Sequence, residues 1–178
     1  MRHLAAPLTA ITILLAAASP AVAQERPIEL GIDGSLAVGL DEPRVTVIAI
    51  PFQQFRVGFF ISPRTSVEPT LAINHIDTED VDGFDLDVTT ISIGVGVLFH
   101  LTTDRAQSQI YFRPFGGFTS VSALGESESD PTLGLGLGLK APLANRLATR
   151  LEAFLANQFG DDDRLTVGVL FGLSFFTR

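Results

Sequence analysis

The 178-residue chain carries 20 acidic against 12 basic residues, a formal net charge of −8, and so lacks the basic footprint that nucleic-acid binding needs. It contains no cysteine, which excludes disulfides, thiol chemistry and a lipid-modified N-terminal cysteine together. Past the first two dozen residues no apolar run reaches the roughly 20 residues that a membrane helix takes.

A basic start at Arg2 and His3, an apolar run from Leu4 to Ala18 and the ending Pro20-Ala21-Val22-Ala23 have the form of a secretory signal peptide cleaved after Ala23. Thr9, Thr12, Ser19 and Pro20 leave that run short of a membrane span. The expected division is therefore residues 1–23 as signal peptide and 24–178 as a single domain. Cleavage would leave 155 residues with a net charge of −9, since Arg2 is the only charge removed.

The domain opens with an alternating segment, Ile28 to Leu40. Its Ile, Leu and Val residues share one face, and Glu29, Gly31, Asp33, Ser35, Ala37 and Gly39 share the other. After the charged turn Asp41-Glu42-Pro43-Arg44, the run Val45 to Ser62 is less regular. Pro51 interrupts it, leaving either one bent strand or two short strands broken near Pro51 to Gln54. Pro63-Arg64-Thr65 is a tight turn, and Ser66 to Ile76 reads as a third strand, followed by an acidic loop from Asp77 to Gly83. The fourth strand, Leu86 to Leu101, sets Ile91, Ile93, Val95, Val97 and Phe99 against Thr90, Ser92, Gly94, Gly96 and Leu98. The fifth, Gln109 to Leu124, is broken by Pro114 and Gly116-Gly117, which leaves its phase open.

A second acidic loop, Gly125 to Asp130, precedes the plainest alternation in the chain. There Leu133, Leu135, Leu137 and Leu139 oppose Gly134, Gly136, Gly138 and Lys140. Strand seven, Leu147 to Phe159, places Arg150, Glu152, Phe154 and Ala156 opposite Leu147, Leu151, Ala153 and Leu155. A third acidic loop, Gly160 to Asp163, leads into Leu165 to Phe176, whose apolar face is backed by Thr166, Gly168, Gly172 and Ser174, with Leu170 as the exception.

In a soluble sheet the second face would carry Lys, Glu, Gln or Asn, because that face meets water. Here it is mostly glycine, serine and threonine. The economical reading turns the apolar face to lipid and the small face into a narrow closed lumen. The fold class is thus all-β: an eight-stranded, antiparallel, transmembrane up-and-down β-barrel. Connections holding Arg64, Arg105 and Arg146 are mostly short, whereas the alternate connections hold most of the loop acids. This asymmetry predicts a periplasmic rim and an outward-facing rim, with both termini in the periplasm.

The signal peptide, the eight alternating strands and the closing strand with Phe175 near its end resemble the small outer-membrane barrels of the OmpA and OmpX type. The resemblance covers essentially the whole domain and is one of pattern. It implies an outer-membrane location in a Gram-negative bacterium. It also implies contact with outer-membrane lipid and lipopolysaccharide, recognition of the closing strand by the barrel-assembly machinery, and a structural or surface-interaction role. The chain departs from the pattern by running on to Thr177 and Arg178, and by having no tryptophan and a single tyrosine, Tyr111.

The phases point Glu29, Asp33, Arg56, Glu68, Lys140, Arg150 and Glu152 into the lumen. Unpaired charges in so narrow a space would cost several kcal/mol each, so a salt-bridged plug closing the lumen is expected, with a narrow ion-conducting pore as its rival. His75 and His100 are the candidate catalytic groups. In the lipid A deacylases among these barrels a serine lies two residues from the histidine, and neither His75 nor His100 has one there, so no enzyme activity is expected. The Glu126 to Asp130 segment and Asp161-Asp162-Asp163 lack the spacing of a calcium loop, and Gly134, Gly136 and Gly138 lack the following helix of a phosphate cradle. No metal or cofactor is expected. The alternative from another class is a soluble periplasmic calycin-like barrel binding an apolar ligand, which would turn the Leu and Val faces inward.

Overall fold

The computed structural model describes residues 27–41, 46–79, 85–104, 107–123, 126–160 and 163–177, so residues 1–23, expected as a signal peptide, lie outside the described residues. Eight strands follow in chain order: β1 (Ile28–Gly39), β2 (Thr46–Ser62), β3 (Thr65–Glu79), β4 (Asp85–His100), β5 (Gln109–Ala123), β6 (Glu126–Ala144), β7 (Leu147–Gln158) and β8 (Arg164–Phe176). Each pairs antiparallel with its neighbours in sequence, and β8 pairs with β1 from Glu29↔Phe176 to Gly39↔Thr166. The sheet closes on itself and leaves no edge.

Side-chain alternation then decides what each face meets. Leu135, Val169 and Ile93 stand on the exterior, 51%, 41% and 54% exposed, while the buried residues are dominated by charged and polar side chains. A barrel built around an apolar ligand would reverse both faces. Along β4 and the residue that follows it, the outward apolar set runs from Ile91 to Leu101. At about 3.3 Å per residue and a tilt of about 40°, that stretch covers roughly 25 Å along the barrel axis, the height of a membrane barrel's apolar band. Exposed Phe59, Phe99, Phe112 and Phe175 edge this band on four strands at the end where the short turns lie.

Three local expectations are settled by the pairing. β2 is one strand that passes through Pro51. Its register against β1 jumps from Asp33↔Gln54 to Ser35↔Ala49, so the extra β2 residues form a bulge where proline has no N–H to give. β3 and β6 run further than the side-chain pattern indicates. Asp77 to Glu79 and Glu126 to Asp130 are strand rather than loop, with Asp77 opposite Asp87 and Glu126 opposite Ala123. Backbone pairing continues past the apolar band, where side chains no longer need to alternate. Asp161 and Asp162 lie outside the described residues.

Candidate functional site

β5 supplies the missing phase: Tyr111 and Arg113 are buried while Ile110, Phe112 and Phe118 are exposed. The lumen then contains four cations, Arg56, Arg113, Lys140 and Arg150, and four anions, Glu29, Asp33, Glu68 and Glu152, all buried. The seven residues singled out from the sequence all point inward, and Arg113 is the eighth.

The charges meet across the barrel. Arg56 on β2 pairs through Nη1 with Glu29 and through Nε with Asp33 Oδ2 at 2.7 Å, both on β1, and its Nη2 donates to Ser174 Oγ on β8. Lys140 on β6 donates to Glu29 Oε2 at 2.6 Å and to Glu68 Oε1 at 3.1 Å. Arg150 on β7 reaches Glu68 Oε2 at 2.8 Å and Glu152 Oε2 at 2.6 Å. Its Nε donates to the Tyr111 hydroxyl at 2.7 Å, and that hydroxyl donates in turn to Glu152 Oε2 at 2.7 Å. Arg113 on β5 pairs with Glu152 through both Nε and Nη2. The result is a continuous network from β1 around to β8 whose formal charges cancel. Such cancellation and multiple bonding are what make buried charge tolerable.

Glycines opposite these residues provide the space. A Cβ on Gly31 would collide with the Arg56 guanidinium, and one on Gly136 with the Glu152 carboxylate. Toward the long-loop end of the network the lumen is filled by Phe115 and Phe154, edge to face with centroids 6.4 Å apart, and by Leu170; Arg113 lies 4.2 Å from the Phe115 ring centre. Toward the short-turn end lie Phe60, Leu98, Ser66 and His100. The His100 ring stacks on Phe60 at 5.5 Å. A cavity of about 40 Å³ at this rim, lined among others by Gln109, Lys140, Asn145 and Phe176, has room for little more than water.

The histidines fall differently. His75 sits on β3 opposite Thr89. His100 is buried in the lumen, and its Nε2 lies 3.2 Å from Ser66 Oγ. The serine absent from the sequence neighbourhood comes from β3, 34 positions away. Cross-strand pairing, not local spacing, brings the two together. Among the described residues no group of three or more His, Asp or Glu side chains is placed to hold a metal ion.

No family model and no curated protein matches the sequence. Solved structures do match in shape. Neisserial surface protein A is 12% identical with a TM-score of 0.60, the match covering 83% of this chain and 96% of that one. OprG, an outer membrane protein of Pseudomonas aeruginosa, is 10% identical with a TM-score of 0.55, covering 85% and 96%. Ail, the attachment invasion locus protein of Yersinia pestis, is 17% identical with a TM-score of 0.50, covering 84% and 96%, and a further structure holds it in complex with the heparin analogue sucrose octasulfate. At these identities the likeness is one of fold: a small closed barrel of the same build.

Proposed function

We propose that residues 24–178 form an integral outer-membrane β-barrel protein of a Gram-negative bacterium, with a structural or surface-interaction role and a lumen kept shut by its own charge network. The observation that carries this reading is the inversion of faces. Large apolar side chains ring the outside of a closed barrel, and eight ionisable side chains of balanced formal charge fill its inside. In water the exterior would be one continuous apolar patch, far beyond what a soluble monomer exposes. In hydrocarbon it is solvated, and closure satisfies the backbone. The soluble calycin-like alternative has no apolar interior to offer a ligand.

Outer-membrane lipid and lipopolysaccharide are the surroundings this exterior suits. Residues 1–23 act as the export signal, and β8, with Phe175 facing outward near its end, is the segment offered to the barrel-assembly machinery. The long connections are acidic and suit a cationic surface partner better than a polyanion such as the sulfated sugar held by Ail. We read the protein as no enzyme. Ser66 and His100 are buried inside the barrel, away from the lipid-facing side where an acyl chain would lie.

Three measurements test this reading. After cell lysis the protein should sediment with outer membranes and need detergent for release, with a mature N-terminus at Gln24. Recovery in the soluble periplasmic fraction would overturn the location. In planar bilayers the pure protein should show no steady conductance, because charge network and aromatic layer both obstruct the axis; a stable selective current would replace the plug with a pore. Release of fatty acid from lipopolysaccharide or phospholipid, abolished by Ser66→Ala, would reverse the non-enzymatic assignment.

A further inference from the structure

The charges of this chain are sorted by height along the barrel. The lumen sums to zero. By sequence, the long connections and the strand ends they join, residues 40–45, 77–87, 125–130 and 161–164, hold fourteen acids and two arginines, a net charge of −12, of which Glu42, Arg44, Asp80, Asp82, Asp161 and Asp162 lie outside the described residues. The opposite end holds Arg26, Arg64, Arg105, Arg146 and Arg178 against Glu25 and Asp104, a net charge of +3. Glu25, Arg26, Arg105 and Arg178 belong to this end by sequence and lie outside the described residues.

Arg64 and Arg146 are exposed, each in a two-residue turn that is tied to a neighbouring strand. The Arg64 carbonyl accepts from His100 N–H at 2.7 Å, and its own N–H donates to Ser62 Oγ at 3.1 Å. The Arg146 carbonyl accepts from Phe176 N–H at 2.9 Å. Directly beside them the apolar band ends, at Ile61, Phe59 and Phe99 for Arg64 and at Leu143 and Phe175 for Arg146. Two exposed arginines, each on a turn held by its backbone, therefore flank the end of the apolar band, where the membrane reading puts the headgroups. A guanidinium is a planar fork that matches the two free oxygens of a phosphodiester.

We propose that the short-turn rim is a binding surface for the phosphate headgroups of anionic phospholipids in the leaflet it contacts, with Arg64 and Arg146 as contact points. The occupant is a lipid and not a soluble anionic polymer because the exposed apolar band begins immediately beside both arginines, so the site presents charge and grease together. This inference rests on the reading that the chain spans a membrane.

The test is lipid selectivity around the refolded mature protein in phosphatidylcholine vesicles. Trace spin-labelled phosphatidylglycerol is compared with trace spin-labelled phosphatidylcholine by electron paramagnetic resonance. Phosphatidylglycerol should associate about two- to fivefold more strongly at low ionic strength, and the preference should fall as salt is raised. Arg64→Ser combined with Arg146→Ser should remove most of it, leaving the amount of motionally restricted lipid unchanged. Equal association of both lipids with the parent protein, or a preference untouched in the double variant, overturns the inference while the restricted component still shows a membrane-spanning barrel. Absence of any restricted component overturns the membrane reading and this inference together.

Discussion

Glu152 is the residue on which most of one half of the lumen depends. Arg113, Arg150 and Tyr111 all bond its carboxylate, so Glu152→Gln leaves a buried excess of one positive charge with its bonding partners in place. Removing one partner of a buried pair costs about 3–5 kcal/mol, and the urea midpoint of the reconstituted barrel should fall accordingly. Adding Arg113→Met returns the lumen to neutrality and should recover part of the loss. Simple additivity of the two substitutions would show that charge balance is not what organises the site. The same balance bears on what was legible. Glu29, Asp33, Arg56, Glu68, Lys140, Arg150 and Glu152 could be read inward from alternation alone, yet they sum to three cations against four anions. A closed low-dielectric lumen calls for a fourth cation. Arg113 was hidden because Pro114 and Gly116-Gly117 obscure the phase of β5, although Gln109, Tyr111 and Arg113 alternate with Ile110 and Phe112 just ahead of them. The Ser66–His100 contact had no local signal at all, since it arises from how β3 lies beside β4.

At the scale of elements, β1 and β8 form the one pairing that no hairpin turn sets in place, and both of its ends carry extra bonds. At the short-turn end Thr177 N–H donates to the Ile28 carbonyl at 3.0 Å and Ile28 N–H donates to Thr177 Oγ1 at 3.0 Å. At the other, Leu165 N–H donates to Asp41 Oδ2 at 2.6 Å and Leu40 N–H to the Leu165 carbonyl at 2.8 Å. The residues that overhang the closing strand thus hold the seam. Thr177→Val and Asp41→Ala should each cost about 0.5–1.5 kcal/mol, seen as faster amide exchange at Ile28 and Leu165 respectively, with the hairpin-joined strands unaffected. β6 makes the converse point about packing. Gly136→Val would drive two methyl groups into the Glu152 carboxylate, and overpacking of this kind costs about 1–3 kcal/mol, measurable by the same urea unfolding. The strands themselves were legible because lipid on one side and a crowded lumen on the other impose period two. Their ends were not, at Asp77–Glu79 and Glu126–Asp130, because alternation reports contact with lipid while a strand is held by backbone bonds that continue into water.

For the whole molecule, the apolar band has a height and the bilayer must match it. Ile91 to Leu101 gives roughly 25 Å, thinner than the hydrocarbon of a typical bilayer at about 30 Å. The mismatch in a thick membrane falls first on the ends of the band. At the short-turn end Phe59, Phe99, Phe112 and Phe175 form the border without the polar tips that hold tyrosine or tryptophan at an interface. A phenylalanine border resists being drawn into hydrocarbon weakly, whereas Arg64 and Arg146 just beyond it resist strongly. Tilting only shortens a span and so cannot help a band that is too short, which leaves the lipid to thin around it, at fractions of a kcal/mol per ångström of mismatch. In vesicles of phosphatidylcholines with chains from twelve to eighteen carbons, unfolding by urea should therefore be hardest in the thinner bilayers. The midpoint should decline steadily once the hydrocarbon exceeds about 25 Å. A maximum in the thickest bilayers would mean that the band is taller than the Ile91–Leu101 stretch, and that the edge of the membrane lies further along β3 and β4 than their exposed apolar residues indicate.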